Sequence, residues 1–190
     1  MTATPSTMLP LGTTMPAFRL PTATGEMVSS DAFSSRPVLI AFICHHCPFV
    51  RHIRQEFAKF TREFQARGLA VVAINSNDAI AFPDDGPAGM IQEAHEAGYT
   101  FPYLYDETQE VAKAFKAACT PDLFLFDAGG ALVYRGQFDS SRPRSAVPVT
   151  GADIRAAATA VLLGDAVPAE QTPSIGCNIK WKRGNEPDYW

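Results

Sequence analysis

Two cysteines, Cys44 and Cys47, flank two histidines, His45 and His46. An apolar run, Val38 to Ile43, precedes them, and Pro48-Phe49-Val50-Arg51 opens a helical pattern after them. A strand that ends in C-x-x-C and turns into a helix sets the first cysteine at the helix N-terminus. Unpaired backbone N–H groups and the positive end of the helix dipole then favour thiolate over thiol. The pKa falls and the sulfur becomes a nucleophile near neutral pH. The second cysteine lies in reach to close a disulfide, as thiol–disulfide exchange requires. Two other readings of the same residues stand beside this one. Cys44, His45, His46 and Cys47 offer soft ligands for a metal, copper among them. A structural zinc site, however, needs a second ligand pair, and Cys119 and Cys177 are isolated and distant. Alternatively both cysteines are unreactive core residues, which leaves their position before a helix unexplained.

Size and composition narrow the setting. A chain of 190 residues fits one domain with a substantial core. Apolar residues make up 46% and charged residues 19%, as in a globular protein rather than a disordered one. The formal charge is −4 and no basic cluster stands out, which argues against nucleic acid or an anionic membrane as partner. No apolar stretch approaches the roughly 18 residues of a membrane span. Met1 to Phe18 lacks the charged and apolar segments of a secretion signal, so the expected compartment is the cytoplasm. There a reactive dithiol is better supported than a structural disulfide framework.

The elements that must position the cysteines follow from patterning. Residues 1–15 read as an irregular arm, residues 16–163 as the core and residues 164–190 as a tail. Phe18-Arg19-Leu20 and Glu26-Met27-Val28 form a short hairpin, and Ser30-Asp31 caps a brief helical turn. Val38–Ile43 is apolar throughout, as a central strand covered on both faces would be. Phe49, Ile53, Phe57, Phe60 and Phe64 follow at helical spacing until Gly68. Leu69–Ile74 is a second buried strand, giving a β-α-β unit with parallel strands. Asn75 to Gly89 reads as a polar loop whose paired acids, Asp84 and Asp85, are solvated. A helix over Ala88–Ala97, a strand at Tyr103–Tyr105 and a helix over Thr108–Ala117 come next. Leu123–Phe126 and Leu132–Tyr134 pair as an antiparallel hairpin, and Ala152–Leu163 is the last helix. Ile175, Ile179, Trp181 and Trp190 give the tail enough apolar area to pack against the domain. The sum is an α/β chain with a mixed sheet and helices on both faces.

With Cys44-His45-His46-Cys47 closing a strand and Thr120-Pro121 opening another, the chain resembles a thioredoxin-fold protein from about Phe18 to Leu163. The resemblance implies a three-layer fold, with an N-terminal β-hairpin and a C-terminal tail, and a cis proline at Pro121 facing the dithiol. The N-terminal hairpin, the Phe101–Asp106 stretch and Gln109–Phe115 resemble the peroxiredoxin-like branch of alkyl hydroperoxide reductases and thiol-specific antioxidants. Ile175–Trp181 is similar to a tail in uncharacterised bacterial members of that branch. In the peroxiredoxin pattern the peroxidatic cysteine matches Cys47. Ile40, Cys44 and Pro121 stand in the places of its proline, threonine and arginine, and each change removes a group that binds or polarises peroxide. The chain also departs from thioredoxin: Ile43 replaces a tryptophan, and no acid between Asp31 and Glu56 supplies the usual buried carboxylate beneath the dithiol.

The expected activity is therefore thiol–disulfide exchange. Cys44, exposed at the helix start, attacks a substrate disulfide, and Cys47 resolves the mixed disulfide. His45 and His46, if cationic, stabilise the thiolate and make the disulfide more oxidising. Pro121 shapes the facing loop, and the backbone of Cys119 and Thr120 holds a substrate chain as an added strand. Cys119 beside that loop and Cys177 in the tail are candidates for further redox roles. The partners are protein or small-molecule disulfides and a thiol reductant, with no cofactor and no metal. The alternatives are a peroxidase using Cys47 and a metal-binding module using Cys44, His45, His46 and Cys47.

Overall fold

The run that ends at the cysteines becomes the middle strand of the sheet because it is apolar on both faces. The computed structural model describes residues 3–189. In chain order its elements are β1 (Ala3–Pro5), β2 (Arg19–Pro21), β3 (Met27–Ser29), β4 (Val38–Phe42), α1 (Pro48–Ala66), β5 (Ala70–Asn75), α2 (Pro87–Ala97), β6 (Tyr103–Tyr105), α3 (Glu110–Ala114), β7 (Cys119–Thr120), β8 (Asp122–Phe126), β9 (Leu132–Arg135), α4 (Ala152–Leu163) and β10 (Ile175–Asn178). Short 3-10 turns lie at Ser30–Phe33 and Pro83–Asp85.

The main sheet has the order β6-β5-β4-β8-β9. β4, β5 and β6 run parallel, while β8 and β9 add antiparallel neighbours. Along β4 the side chains alternate between faces. Leu39, Ala41 and Ile43 join Phe57, Phe60 and Phe64 of α1, Met90 of α2 and Ile154 of α4. Val38, Ile40 and Phe42 join Phe18, Val111 of α3 and Phe115. Two apolar layers thus clamp one strand, which gives the cysteines at its end a rigid base. The arrangement is the three-layer α/β fold implied by the patterning.

Three local expectations are corrected. Part of the arm is ordered as β1, which pairs antiparallel with β10; backbone pairing, rather than apolar side chains, holds it there. The helix expected over Thr108–Ala117 is confined to Glu110–Ala114, because Gln109 and Lys116 adopt positive φ at either side. Ser29, one residue earlier than expected, caps the first 3-10 turn by accepting a hydrogen bond from the Asp31 N–H. The tail is packed: β10 lies between β1 and β7, and Cys177, Ile179 and Trp181 are buried. Trp190 lies outside the described residues. No helix among the described residues is long and apolar enough to cross a membrane.

Phe115 is fully buried and meets Phe42, Phe124 and Phe126 edge-on. Phe115→Ala is expected to cost about 3–5 kcal/mol of stability in urea denaturation. A loss below about 1 kcal/mol would show that this layer does not anchor the sheet.

Candidate functional site

The turn between β4 and α1 is set at both ends. The Ile43 N–H still bonds the Ile74 carbonyl at 3.1 Å, so the strand holds to that point. Proline suits the first helical position, where its missing N–H would have no partner and its φ is already helical. Helix α1 therefore starts at Pro48, and Cys47 caps it. This corrects the expectation that Cys44 opens the helix. Cys44 sits in the turn three residues earlier, and neither cysteine is exposed: the values are 1% for Cys44 and 0% for Cys47.

The Thr120–Pro121 peptide is cis and faces both sulfurs. Thr120 Oγ1 lies 3.5 Å from Cys44 Sγ, and the Thr120 carbonyl lies 3.1 Å from Cys47 Sγ. The backbone of Cys119 and Thr120 is not open to an incoming chain. The protein's own β10 already pairs there, with Cys177 opposite Thr120 and Asn178 opposite Cys119. The tail takes this edge because Cys177, Ile179 and Trp181 bury their side chains in doing so. As a result the Cys177 thiol hydrogen-bonds the Cys47 sulfur, as does the Cys44 thiol. Cys119 stands apart from these three. Its sulfur points to the Pro121 carbonyl at 3.5 Å, and burial pushes its pKa well up.

Two thiols meet at one sulfur, and the three groups share charge unequally. The Cys47 pKa is lowered, first by the hydrogen bond from Cys177 and then by that from Cys44. The Val50 N–H at the third helical position also faces this sulfur; it closes no capping bond, but its dipole favours the thiolate. Burial opposes ionisation, and so does the Thr120 carbonyl, into which only a thiol can donate, while the Thr120 hydroxyl favours it. The donors outweigh these two. Cys44 and Cys177 move the other way: each gives its proton to a bond with Cys47, and each is desolvated, so both are held as thiols.

His46 and Asp85 form the second part of the site. Asp85 was expected to be solvated, but it is fully buried. It accepts from the His46 ring, from the His46 N–H at 3.1 Å and from the Asn77 amide at 2.7 Å. Burial raises the Asp85 pKa, but the bonds from His46 and Asn77 prevail and it lies below the ordinary carboxylate value. The bond to Asp85 raises the His46 pKa above 6.5. The His46 ring stacks on Phe82 at 5.6 Å, and Lys180 of the tail lies over the Phe82 ring, 5.8 Å from its centroid. His45 is different: it is buried, its Nδ1 has no hydrogen-bond partner, and its carbonyl accepts from Arg51. The two histidines therefore do not act as a pair. The ligand set that the fold brings together is Cys44, His46 and Asp85, with donor atoms within 4.8 Å of one another. His45 and Cys47 do not belong to it, which revises the metal alternative. Asp85 already accepts three hydrogen bonds, so the cluster is satisfied as an ion pair.

A buried acid does connect, through Tyr103, to the backbone just before the dithiol, from α2 rather than from β4. Glu93 is fully buried, and its Oε2 lies 3.1 Å from the Tyr103 hydroxyl. That hydroxyl lies 3.3 Å from the Ile43 carbonyl, one residue before Cys44. Burial pushes Glu93 up to about 7, against the pull of both tyrosine hydroxyls and Arg54. A neutral Glu93 can donate to Tyr103, which then donates to the Ile43 carbonyl. The signal missed in the sequence was an acid on the apolar face of a helix, three residues after Met90.

Comparison with known proteins fits this geometry. A model of the AhpC/TSA family matches residues 11–135. No curated protein matches the chain. Among solved structures, a hypothetical protein from Sinorhizobium meliloti is 52% identical over 95% of this chain and all of its own, with a TM-score of 0.93. An uncharacterised conserved protein from Geobacillus kaustophilus is also 52% identical, covering 96% of this chain and 97% of its own, with a TM-score of 0.93. A secreted disulfide oxidoreductase from Mycobacterium tuberculosis shares the fold at 14% identity, covering 75% of this chain and 95% of its own, with a TM-score of 0.60.

Two measurements check the charge pattern. In an NMR titration His46 should hold its proton above the ordinary midpoint of about 6.5, and Asp85→Asn should return it toward that value. An unchanged midpoint in the variant would contradict the ion pair. Glu93 has a folded pKa of about 7 against 4.5 when unfolded, so its contribution to stability is full below 4.5 and lost as pH rises through about 7. Glu93→Gln stays neutral and should shrink the loss of stability between pH 5 and pH 8 by roughly 1–3 kcal/mol. Asp122, also raised to about 7 by burial, keeps part of that slope in the variant. Equal slopes in the two proteins would show that Glu93 does not ionise in this range.

Proposed function

The chain belongs to the AhpC/TSA family, and from that membership and the thiol cluster we propose that it is a thiol–disulfide oxidoreductase in which Cys47 is the nucleophile and Cys44 the resolving cysteine. Family and thioredoxin-like fold support a thiol-based redox function. The observation that carries the finer reading is that the Cys44 and Cys177 thiols both donate to the sulfur capping α1. This reverses the roles expected from the sequence, where Cys44 was the attacking sulfur.

In this reading the Cys47 thiolate attacks a disulfide, RS–SR′. A Cys47–SR bond forms, and R′S⁻ leaves with the electron pair of the broken bond. The Cys44 sulfur then attacks Cys47 Sγ, displacing RS⁻, which takes up the proton that Cys44 gives up. The dithiol is oxidised by two electrons and the substrate disulfide is reduced to two thiols. A thiol reductant reverses the sequence. The raised pKa of Cys44 keeps it a thiol until the mixed disulfide forms. A protonated His46 close to Cys47 favours the thiolate, and hence the reduced form, which makes the disulfide more oxidising. Asp85 moderates this by pairing with the imidazolium. Small disulfides suit the site better than extended chains, because β10 fills the edge beside Pro121. A cleft lined by His46, Ala81, Phe82, Pro83 and Asp84 opens beside the His46 ring.

A peroxidase reading is favoured by the place of Cys47: it caps α1 and stands in the family's nucleophile position, where neighbouring donors lower its pKa. The proline, threonine and arginine that bind peroxide in the pattern are still replaced by Ile40, Cys44 and Pro121.

Limiting oxidised glutathione is expected to produce a Cys44–Cys47 disulfide in the wild type, read by peptide mapping. Cys47→Ser should not react, while Cys44→Ser should still release at least one glutathione per chain. Reaction of Cys47→Ser at the wild-type rate would make Cys44 the nucleophile. Hydrogen peroxide turnover with a thiol donor at a rate typical of the family would favour the peroxidase reading.

A further inference from the structure

The edge beside a cis proline, next to a reactive dithiol, is where an extended disulfide-bearing chain would add as a strand. Here β10 holds that position. It runs antiparallel to β7, places Cys177 opposite Thr120, and points the Cys177 thiol at Cys47. We propose that β10 is a built-in substrate strand: it delivers Cys177 to Cys47 so that the Cys44–Cys47 disulfide exchanges within the chain into a Cys47–Cys177 disulfide. The proposal rests on the reading of Cys47 as the exchanging sulfur.

Several independent features hold the strand in this role. The Ile179 N–H bonds the Ala118 carbonyl at 3.1 Å, continuing the pairing past Cys177. Beyond it the Lys180 N–H bonds Asn77 Oδ1 at 2.8 Å, and the Asp78 N–H bonds the Lys180 carbonyl at 2.8 Å. The side chain of Gln109 donates to the Lys180 carbonyl and accepts from the Lys182 N–H, both at 2.9 Å. On the other side β1 closes the edge, with Thr4 opposite Gly176. Gly176 permits the approach itself. A Cβ at this position would sit 2.0 Å from the Thr120 carbonyl oxygen and 3.1 Å from the Pro121 nitrogen. Any other residue would push the strand away from the cis-proline loop and carry Cys177 with it. A strand this firmly held and this tightly fitted is a component of the site rather than a loose cover.

The step balances without an external reagent. The Cys177 sulfur attacks Cys47 Sγ, the Cys44–Cys47 bond breaks, and the Cys47–Cys177 bond forms. The electron pair leaves on Cys44, which takes the proton given up by Cys177. No net oxidation occurs, and the oxidising equivalent moves from the turn to the tail. Cys44 then stands as a thiol beside a closed tail disulfide.

The test uses Cys44→Ser/Cys119→Ser protein and oxidised glutathione, with glutathione standing in for Cys44 as the group that leaves Cys47. The expected product is a Cys47–Cys177 disulfide with no glutathione retained. Adding Gly176→Ala, which keeps both reacting cysteines but displaces Cys177, should slow this closure by between about tenfold and a hundredfold, as a displacement of about 1 Å does to an oriented reaction. Accumulation of a Cys47–glutathione adduct with Cys177 fully alkylatable would overturn the proposal, as would unchanged closure in the Gly176→Ala protein. The wild type provides a measurement free of folding defects in variants. After oxidation, a fraction of Cys177 should be protected from alkylation, with an equal fraction of Cys44 alkylated; Cys177 fully alkylated would again overturn it. Formation of Cys47–Cys177 in the variant without any Cys44–Cys47 bond in the wild type would overturn the transfer from Cys44 and the reading on which Cys44 resolves, leaving Cys177 as the resolving thiol, whereas a Cys44–Cys47 bond with no Cys47–Cys177 bond would overturn this proposal alone.

Discussion

A buried sulfur can carry charge only if donors replace the water it has lost. At Cys47 the donors are two neighbouring thiols and the N-terminal end of α1. This requirement explains why distant parts of the chain meet here. β4 brings Cys44, α1 brings the cap, the cis-proline loop brings Thr120, and the tail brings Cys177. The same interactions that lower one pKa raise the other two, so one nucleophile and two reserve thiols come from a single arrangement.

The surrounding charges form a second layer around that sulfur. Asp85 fixes the ring of His46 and is itself held by Asn77, while Phe82 covers the ring. Glu93 and Tyr103 reach the backbone before Cys44. The site is thus flanked by a carboxylate below its ordinary pKa and a carboxyl well above it. Their different partners account for the contrast. Asp85 has a cation and an amide, whereas Glu93 has only hydroxyls and a more distant arginine.

Much of this was legible in the sequence. The continuous apolar run of β4, the aromatic stripe of α1 and the Thr120-Pro121 pair each follow from patterns a few residues long, and the fold obeys them. The role of Cys47 was written in Pro48: a proline at the first helical position makes the preceding residue the cap. Asp85 was misjudged because an acid in a polar loop looks solvated, and its partner His46 lies 39 residues earlier. The pairing of Thr120 with Cys177 joins residues that no local periodicity connects. The first strand was hidden for a similar reason, since its order comes from the tail beside it.

The central claim is that Cys47, and not Cys44, carries the thiolate. A carbon NMR titration of the cysteine Cβ resonances reads each sulfur's ionisation without needing a reagent to enter the buried site. Cys47 is predicted to be ionised at neutral pH, with its midpoint well below the free-cysteine value of about 8.5, while Cys44 and Cys177 remain thiols. A Cys44 thiolate at neutral pH, or a Cys47 midpoint at or above about 8.5, would contradict the account.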